Sequence, residues 1–300
     1  MHVVFSHWSA SWPALGCYVV IAAAHLVGLR RLLAAAGDGP GASELRRQAL
    51  VFHSGLLLAL LALVSPVGYL SDVYIWVRGL QFLLLAIVAS GFIVLGAPWL
   101  ALRAAFQRPG ADSEGRDHPV PIEGELPARP PWLLARPILA VVVVNVIWLA
   151  WQLPGPFDAV HNNAMIAWAE HATCLLAGVV LWLQLIGSVP FSPAARPLRR
   201  MELVVATVGA MTVLGMVLVF GSSVLYPAYA NSAHHVMTVL DDQQLSGAVV
   251  WMGSLPPLMT VAVALLMRWL SDEDGAELSA DLDRLLVPRK NAWSARPGIR

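Results

Sequence analysis

The sequence predicts an all-α membrane protein: a bundle of seven transmembrane helices with its N-terminus outside and its C-terminus in the cytoplasm. Of its 300 residues 58% are hydrophobic and 13% charged, whereas soluble domains carry about 25% charged residues. Seven apolar stretches are long enough for a helix to cross the hydrocarbon core of a bilayer, which takes about 20 residues. Basic residues concentrate in every second connection, which the positive-inside rule assigns to the cytoplasm.

The predicted spans cover residues 12–33, 50–69, 79–100, 137–153, 164–187, 203–221 and 247–270. Arginine and lysine follow the first, third, fifth and seventh spans, whereas the opposite connections carry few charges beyond Asp72, Asp158, Asp241 and Asp242, with Arg78 at a helix edge. Residues 1–11 contain no Lys or Arg, and a basic pair follows the first span, so we expect a retained helix instead of a cleaved signal peptide.

The predicted organisation is a transmembrane domain over residues 1–270 and a cytoplasmic tail over 271–300. Residues 107–131 are rich in Pro, Gly and charge, which is typical of a flexible linker. The tail begins with an acidic run, and residues 277–286 predict one short amphipathic helix. No basic surface for nucleic acid and no nucleotide-binding or hydrolase motif is found in the sequence, so we do not expect an enzyme.

Ionisable residues within spans indicate function, because a charge in hydrocarbon costs several kcal/mol. Glu170, His171 and Cys174 share one flank of the fifth predicted helix, and His161 precedes it. These donor types suit a soft or borderline metal ion such as Cu(I). The alternative is that the same side chains form hydrogen bonds between helices. With Cys17 the only other cysteine, no disulfide framework is expected.

The other histidines are weaker candidates. We expect His25 to be a neutral imidazole hydrogen-bonded to a neighbouring helix and His53 to lie near the cytoplasmic interface. His234 and His235 precede the last helix with Met237 close by; a solvated loop is the expected role, and transient contact with a metal ion is the alternative.

Several phrases together point to a family. These are residues 52–58 (FHSGLLL), 63–66 (LVSP), 95–99 (LGAPW), 151–154 (WQLP), 169–171 (AEH), 225–229 (LYPAY) and 242–247 (DQQLSG) followed by Trp251. In order and spacing, over roughly residues 47–269, they resemble the CtaG-type family of seven-helix cytochrome c oxidase assembly proteins. The phrase that begins at Asp242 is the most specific of them.

The resemblance implies a multi-pass protein of the plasma membrane that helps to mature a haem-copper oxidase of the caa type by handling or delivering copper. Its expected partners are oxidase subunits, the lipid bilayer and a copper ion. The family typically has His-x-x-Gln-His at the start of the third helix and Trp-His-x-Pro at the end of the fourth. This chain has Arg78, Phe82 and Gln152 at those three histidine positions, while Gln81 and His171 persist.

The functional residues predicted first are Glu170, His171, Asp242, Gln243 and Gln244, followed by Cys174, His161 and Gln81. The amide and carboxylate group at 242–244 would lie at the outer mouth of the last helix, where helix capping and function are equally compatible with the sequence. Two other functions remain open: a metal-ion or small-molecule transporter that uses Glu170 and His171 as a relay, and a metal-free scaffold that docks oxidase subunits.

Overall fold

The computed structural model describes residues 11–37, 39–107, 132–231 and 236–286. The N-terminal flank, residues 108–131 of the expected linker, His234, His235 and the last 14 residues of the tail lie outside this described part. The helices are α1 Trp12–Ala36, α2 Pro40–Val64, α3 Pro66–Ser71, α4 Ile75–Leu83, α5 Ser90–Leu95, α6 Trp99–Phe106, α7 Pro137–Trp151, α8 Pro154–Asn162, α9 Ala164–Leu185, α10 Pro197–Phe220 and α11 Val239–Leu286. A π-helical segment, Leu84–Ala89, joins α4 to α5, and a 3-10 turn, Pro227–Asn231, follows α10.

The predicted helical class is confirmed. Six helical runs in the described part are long and apolar enough to cross a membrane, and α7 with α8 makes a seventh if this pair, bent by 64°, is one span. Each predicted span coincides with one of these helical runs or with the bent pair. The orientation of the termini remains a prediction.

The boundaries differ where prolines and charges interrupt the apolar pattern. The second span was predicted to begin at residue 50, but α2 already begins at Pro40, a favourable first helical position, and continues through charged residues. It ends at Val64, because Pro66 has no N–H to continue the ladder. His53 is therefore the fourteenth residue of a 25-residue helix whose first half contains Glu44, Arg46 and Arg47. Its expected place near the cytoplasmic interface stays a prediction.

The third and fourth spans are also broken. The third begins at Ile75 and ends at Leu95, and the positive φ of 42° at Ala97 redirects the chain into the separate helix α6, which packs against α1. The fourth turns sharply before Pro154. By contrast, α11 begins eight residues earlier than predicted and includes the predicted tail helix over residues 277–286.

The π-helical segment is the centre of the bundle. The run from α4 through α5 is its most buried span, and it packs against α2, α9 and α11. On α9, a Cβ at Gly178 would lie 2.0 Å from the backbone oxygen of Ala86, so only glycine permits this close approach. The indole Nε1 of Trp182, one turn further on, donates to the carbonyl of Ile87 at 2.8 Å. Helix α9, which carries Glu170, is thereby held against the irregular segment.

Candidate functional site

A buried ion pair connects α4 and α9. Nη2 of Arg78 donates to Oε2 of Glu170 at 2.6 Å, and the two side chains are only 5% and 6% exposed. The guanidinium carbon of Arg78 lies 4.4 Å from the ring centroid of Phe157 on α8, a cation–π arrangement. Three helices therefore contribute to one charged cluster inside an apolar bundle.

Tyr229 provides a further contact to the pair. It shares a hydrogen bond with Arg78, and its hydroxyl donates to the carbonyl of Ser71 at 2.8 Å. Burial raises the pKa of Tyr229 to about 12, so the phenol is neutral at physiological pH. The 3-10 turn after α10 is thus bonded both to the ion pair and to the end of α3.

Tyr226 extends the same cluster toward the bend between α7 and α8. Its ring stacks on Phe157 with centroids 3.9 Å apart, and its hydroxyl donates to the carbonyl of Gln152 at 2.9 Å. Gln152 therefore contacts the cluster through its backbone. The phrase LYPAY, which contributed to the family resemblance, supplies both tyrosines.

Asp242 acts as a helix cap across the bundle. Its two carboxylate oxygens accept the backbone N–H groups of Ile75 and Trp76, each at 2.9 Å, although Asp242 itself is in the first turn of α11. Those amides are among the unpaired donors at the N-terminus of α4, where the helix dipole also favours a negative charge. Since Arg78 is in that same first turn, Asp242 fixes the segment that presents the guanidinium.

Gln243 and Gln244 hold the connection that leads to the two tyrosines. Gln243 accepts from the N–H of Leu225 at 2.7 Å and donates to the carbonyl of Ser223 at 3.2 Å. Gln244 donates to the carbonyl of Gly221 at 3.3 Å. The predicted group at 242–244 therefore lies next to the site. Each hydrogen bond described for these three side chains is made to a backbone group and so helps to fix the position of that backbone.

Gln81 supplies a hydrogen bond that a proline cannot make. Its amide donates to the carbonyl of Ala62 at 2.8 Å. In a continuous helix that carbonyl would accept from residue 66, but Pro66 has no N–H. The structure therefore explains Gln81 through the end of α2.

The remaining predicted residues line two spaces that share Arg78, Gln81 and His171 in their walls. Glu170, His171, Cys174 and Gln81 line a cavity of about 10 Å³ together with Arg78, which is room for about one water molecule. His161 is not part of this small cavity. Its ring packs against Tyr229 with centroids 4.6 Å apart, and its Nδ1 is buried without a hydrogen-bond partner among the described residues.

His161 instead lines a larger cleft of about 400 Å³, which we call the polar cleft. It lies between the α2–α4 connection and the start of α9, and its polar lining consists of Ser11, Tyr69, Ser71, Asp72, Arg78, Gln81, His161, Asn162, Asn163, Trp168 and His171. The polar cleft therefore reaches from the helix ends down to the ion pair.

The predicted metal donors are not gathered into a group of three ligands. Among the described residues no group of three or more His, Cys, Asp and Glu side chains is arranged to hold a metal ion. The carboxylate of Glu170 already faces a guanidinium, which has no lone pair to offer a metal. Arg78 and Phe82, at two of the histidine positions of the family pattern, both line the small cavity.

From the sequence, Arg78 was noted only as a charge at a helix edge and as a lost histidine, and Phe157, Tyr226 and Tyr229 were not predicted as site residues. A signal for the ion pair was present. Glu170 is the only acidic residue inside any predicted span, and Arg78 stands at a span edge on the side that is otherwise poor in basic residues. Because isolated charges are so costly in hydrocarbon, such a pair of exceptions indicates mutual contact.

Comparison with known proteins gives one match. The model of the cytochrome c oxidase caa3 assembly factor family (Caa3_CtaG) matches residues 23–272. No curated protein and no solved structure matches the chain.

Proposed function

Since the chain belongs to the cytochrome c oxidase caa3 assembly factor family, we propose that it acts in the plasma membrane on a haem-copper oxidase of the caa type, and that the polar cleft is where it contacts an oxidase subunit. The observation that carries the proposal is the polar cleft itself, which ends at the buried Arg78–Glu170 pair of an otherwise apolar bundle.

The floor of the polar cleft is rigidly held. Arg78 is fixed by Glu170 from α9 and by Phe157 from α8, while Asp242 from α11 caps the turn that carries it. Hydrogen-bonding groups on rigid helices discriminate between partners better than groups on loops, because little order has to be imposed on binding. This arrangement suits recognition of a polar group on a client.

Transport is less well supported. A translocation pathway needs polar groups that continue across the bundle. Beyond the small cavity Phe82, Leu85, Trp148 and Leu181 are buried. Further buried polar side chains occur in the bundle, but Ser90, Thr207 and Gln184 donate to backbone carbonyls. Polar groups that bond the backbone of the bundle support a structural role, which favours assembly over transport.

In this proposal copper is a component of the mature oxidase, and the protein itself does not store it. The donors at Glu170, His171, Cys174 and His161 do not form a three-ligand group, so we assign the polar cleft to client contact and not to copper storage. The distinction can be tested by supplying copper externally.

The gene is deleted, and oxidase activity, haem content and copper content are measured in membranes, with and without added copper. We expect loss of active oxidase that added copper does not correct and that the wild-type gene restores. Full correction by copper would replace client contact with copper supply as the function. Normal oxidase in the deletion strain would overturn the proposal altogether.

Substitutions in the polar cleft test whether it is needed for oxidase assembly. Asp72→Asn combined with His161→Ala and Asn162→Ala should lower oxidase yield at an unchanged level of the protein in the membrane, because these residues line the polar cleft. Asp241→Asn is the matched control, since Asp241 is exposed on α11 and does not line it. Equal oxidase yield in both variants would contradict the assignment of the polar cleft.

A further inference from the structure

A further space lies beside the polar cleft, and we call it the apolar groove. It has a volume of about 300 Å³ and lies between α1 and α9, with residues of α2 and Leu85 also in its walls. Apart from Cys17, Tyr18, Trp168 and His171, every residue that lines it is aliphatic. Its volume is at the lower end of the roughly 300–1,000 Å³ range of small-molecule pockets.

The apolar groove and the polar cleft adjoin each other. Leu63, Trp168 and His171 line both spaces. The apolar groove is also open at the side of the bundle, because Ile21 and Leu176, which line it, are 39% and 63% exposed. A molecule that enters from the hydrocarbon of the membrane can therefore place an apolar chain in the apolar groove and a polar head group in the polar cleft.

Two side chains that line the polar cleft have polar atoms without a partner. Within the described part of the chain, Nε of Arg78 and Nδ1 of His161 are buried and have no hydrogen-bond partner. Arg78 is itself only 4% exposed, and its Nε–H is always a donor. Because buried polar groups in folded proteins are normally hydrogen-bonded, these atoms indicate a bound species that carries hydrogen-bond acceptors. The polar cleft, at about 400 Å³, has room for far more than one water molecule.

The charges that line the polar cleft restrict the head group. Among its lining residues only Arg78 and Asp72 are formally charged, and the guanidinium of Arg78 already faces the carboxylate of Glu170. The polar cleft therefore has no surplus positive charge for a phosphate, and an uncharged head group fits it best. Tyr69 and Trp168 add aromatic surface on which a planar ring can stack.

We propose that the polar cleft and the apolar groove together bind a lipid-soluble quinone, with its ring in the polar cleft and its apolar chain in the apolar groove. The carbonyl oxygens of a quinone accept hydrogen bonds without bringing a charge into the membrane, so they suit the unpartnered nitrogens of Arg78 and His161. The inference goes beyond the proposed function, because it assigns a small-molecule ligand to the protein. A client group that enters the polar cleft would displace the quinone ring.

The test is calorimetric titration of the purified full-length protein in detergent micelles with two probes. One is decylubiquinone, which carries a short saturated chain, and the other is the same quinone ring without the chain. We expect decylubiquinone to bind saturably and the chainless ring to bind more weakly, because the ring alone buries no apolar surface in the apolar groove.

Two substitutions separate the ring from the chain. Ala172→Trp fills the apolar groove, and it should weaken binding of decylubiquinone by about tenfold or more without changing binding of the chainless ring. His161→Leu should weaken both probes by about tenfold, the effect of one lost hydrogen bond. The matched controls are Ala169→Trp, at an exposed position of α9, and His53→Leu, which also removes a buried, unpartnered ring nitrogen. Neither control residue lines the polar cleft or the apolar groove, so both variants should bind like the wild type.

Equal affinity of decylubiquinone for the wild type, Ala172→Trp and His161→Leu, or no saturable binding to the wild type, would overturn the proposal. A phospholipid that co-purifies with the wild type and is lost in Ala172→Trp would also overturn it, because that lipid would then be the occupant of the apolar groove. Quinone binding is measured without a client. If it occurs as expected while the deletion strain makes normal oxidase, this inference stands and the proposed function fails, and the reverse pattern has the opposite meaning.

Discussion

The bundle contains two groups of buried polar side chains, which differ in whether their polar atoms have partners within the protein. Around Arg78 and Glu170, charges and hydroxyls are paired across α4, α8, α9 and the turn after α10. Between α1 and α2, His25 and His53 have buried ring nitrogens with no hydrogen-bond partner in the described structure. Paired groups hold helices together, whereas unpaired groups retain the capacity to bind something else. Substitution should therefore affect the two sites very differently.

The largest effect is expected at the ion pair. Arg78→Gln leaves the carboxylate of Glu170 buried without its partner, and removal of one member of a buried pair costs about 3–5 kcal/mol. The double variant Arg78→Gln with Glu170→Gln should recover much of this loss, because both charges are gone. Thermal unfolding of the purified proteins measures both. A double variant no more stable than the single one would show that the pair is not the source of the effect.

Next in size is the cap on α4. Asp242→Ala leaves the N–H groups of Ile75 and Trp76 without their acceptor, at about 1–3 kcal/mol for each buried donor. Asp241→Ala, one residue away on the exposed side of α11, removes only the solvent-exposed acceptor of the Thr238 hydroxyl and should lower the unfolding free energy by about 0.5–1 kcal/mol, less than Asp242→Ala. Similar losses in both variants would show that the negative charge of the turn matters and the cross-bundle bonds do not.

The sequence predicted the two sites to different degrees. Apolar length identified the spans, the cost of buried charge singled out Glu170, and the phrase that begins at Asp242 singled out that residue. Their partners could not be predicted, since Arg78 is 92 positions from Glu170 and Ile75 is 167 from Asp242. Such contacts depend on how helices are arranged, and periodicity within one helix carries no information about that.

The histidine pair shows the same limit more sharply. The predicted second span began at residue 50 because charged residues precede it, and this placed His53 near an interface. The structure begins α2 at Pro40 and brings His53 opposite His25. The expectation that a neighbouring helix satisfies His25 was wrong, since its buried Nδ1 has no hydrogen-bond partner among the described residues. Which side chains face each other across two helices could not be predicted from the apolar pattern of either helix alone.

A smaller effect is expected where α9 packs on the π-helical segment. Gly178→Ala places a Cβ against the carbonyl of Ala86, and forced overpacking costs about 1–3 kcal/mol. Gly209→Ala on α10 is the control, because nothing lies within 4 Å of its Cβ position; there alanine should stabilise by about 0.5–1 kcal/mol through helix propensity. Oxidase yield should fall with Gly178→Ala, since Glu170 would shift with α9. If Gly178→Ala were as stable as Gly209→Ala, the close approach would not be a constraint.

The smallest effect on stability is expected at the unpaired site. At His25 and His53 the Leu substitutions remove ring nitrogens that are buried without a hydrogen-bond partner, and an apolar side chain of similar size needs none, so the unfolding free energy should change by less than about 1 kcal/mol in each variant. Thermal unfolding of the purified variants measures the change. A large loss of stability would mean that the histidines are partners of each other, as Arg78 and Glu170 are, and the contrast between the two sites would disappear.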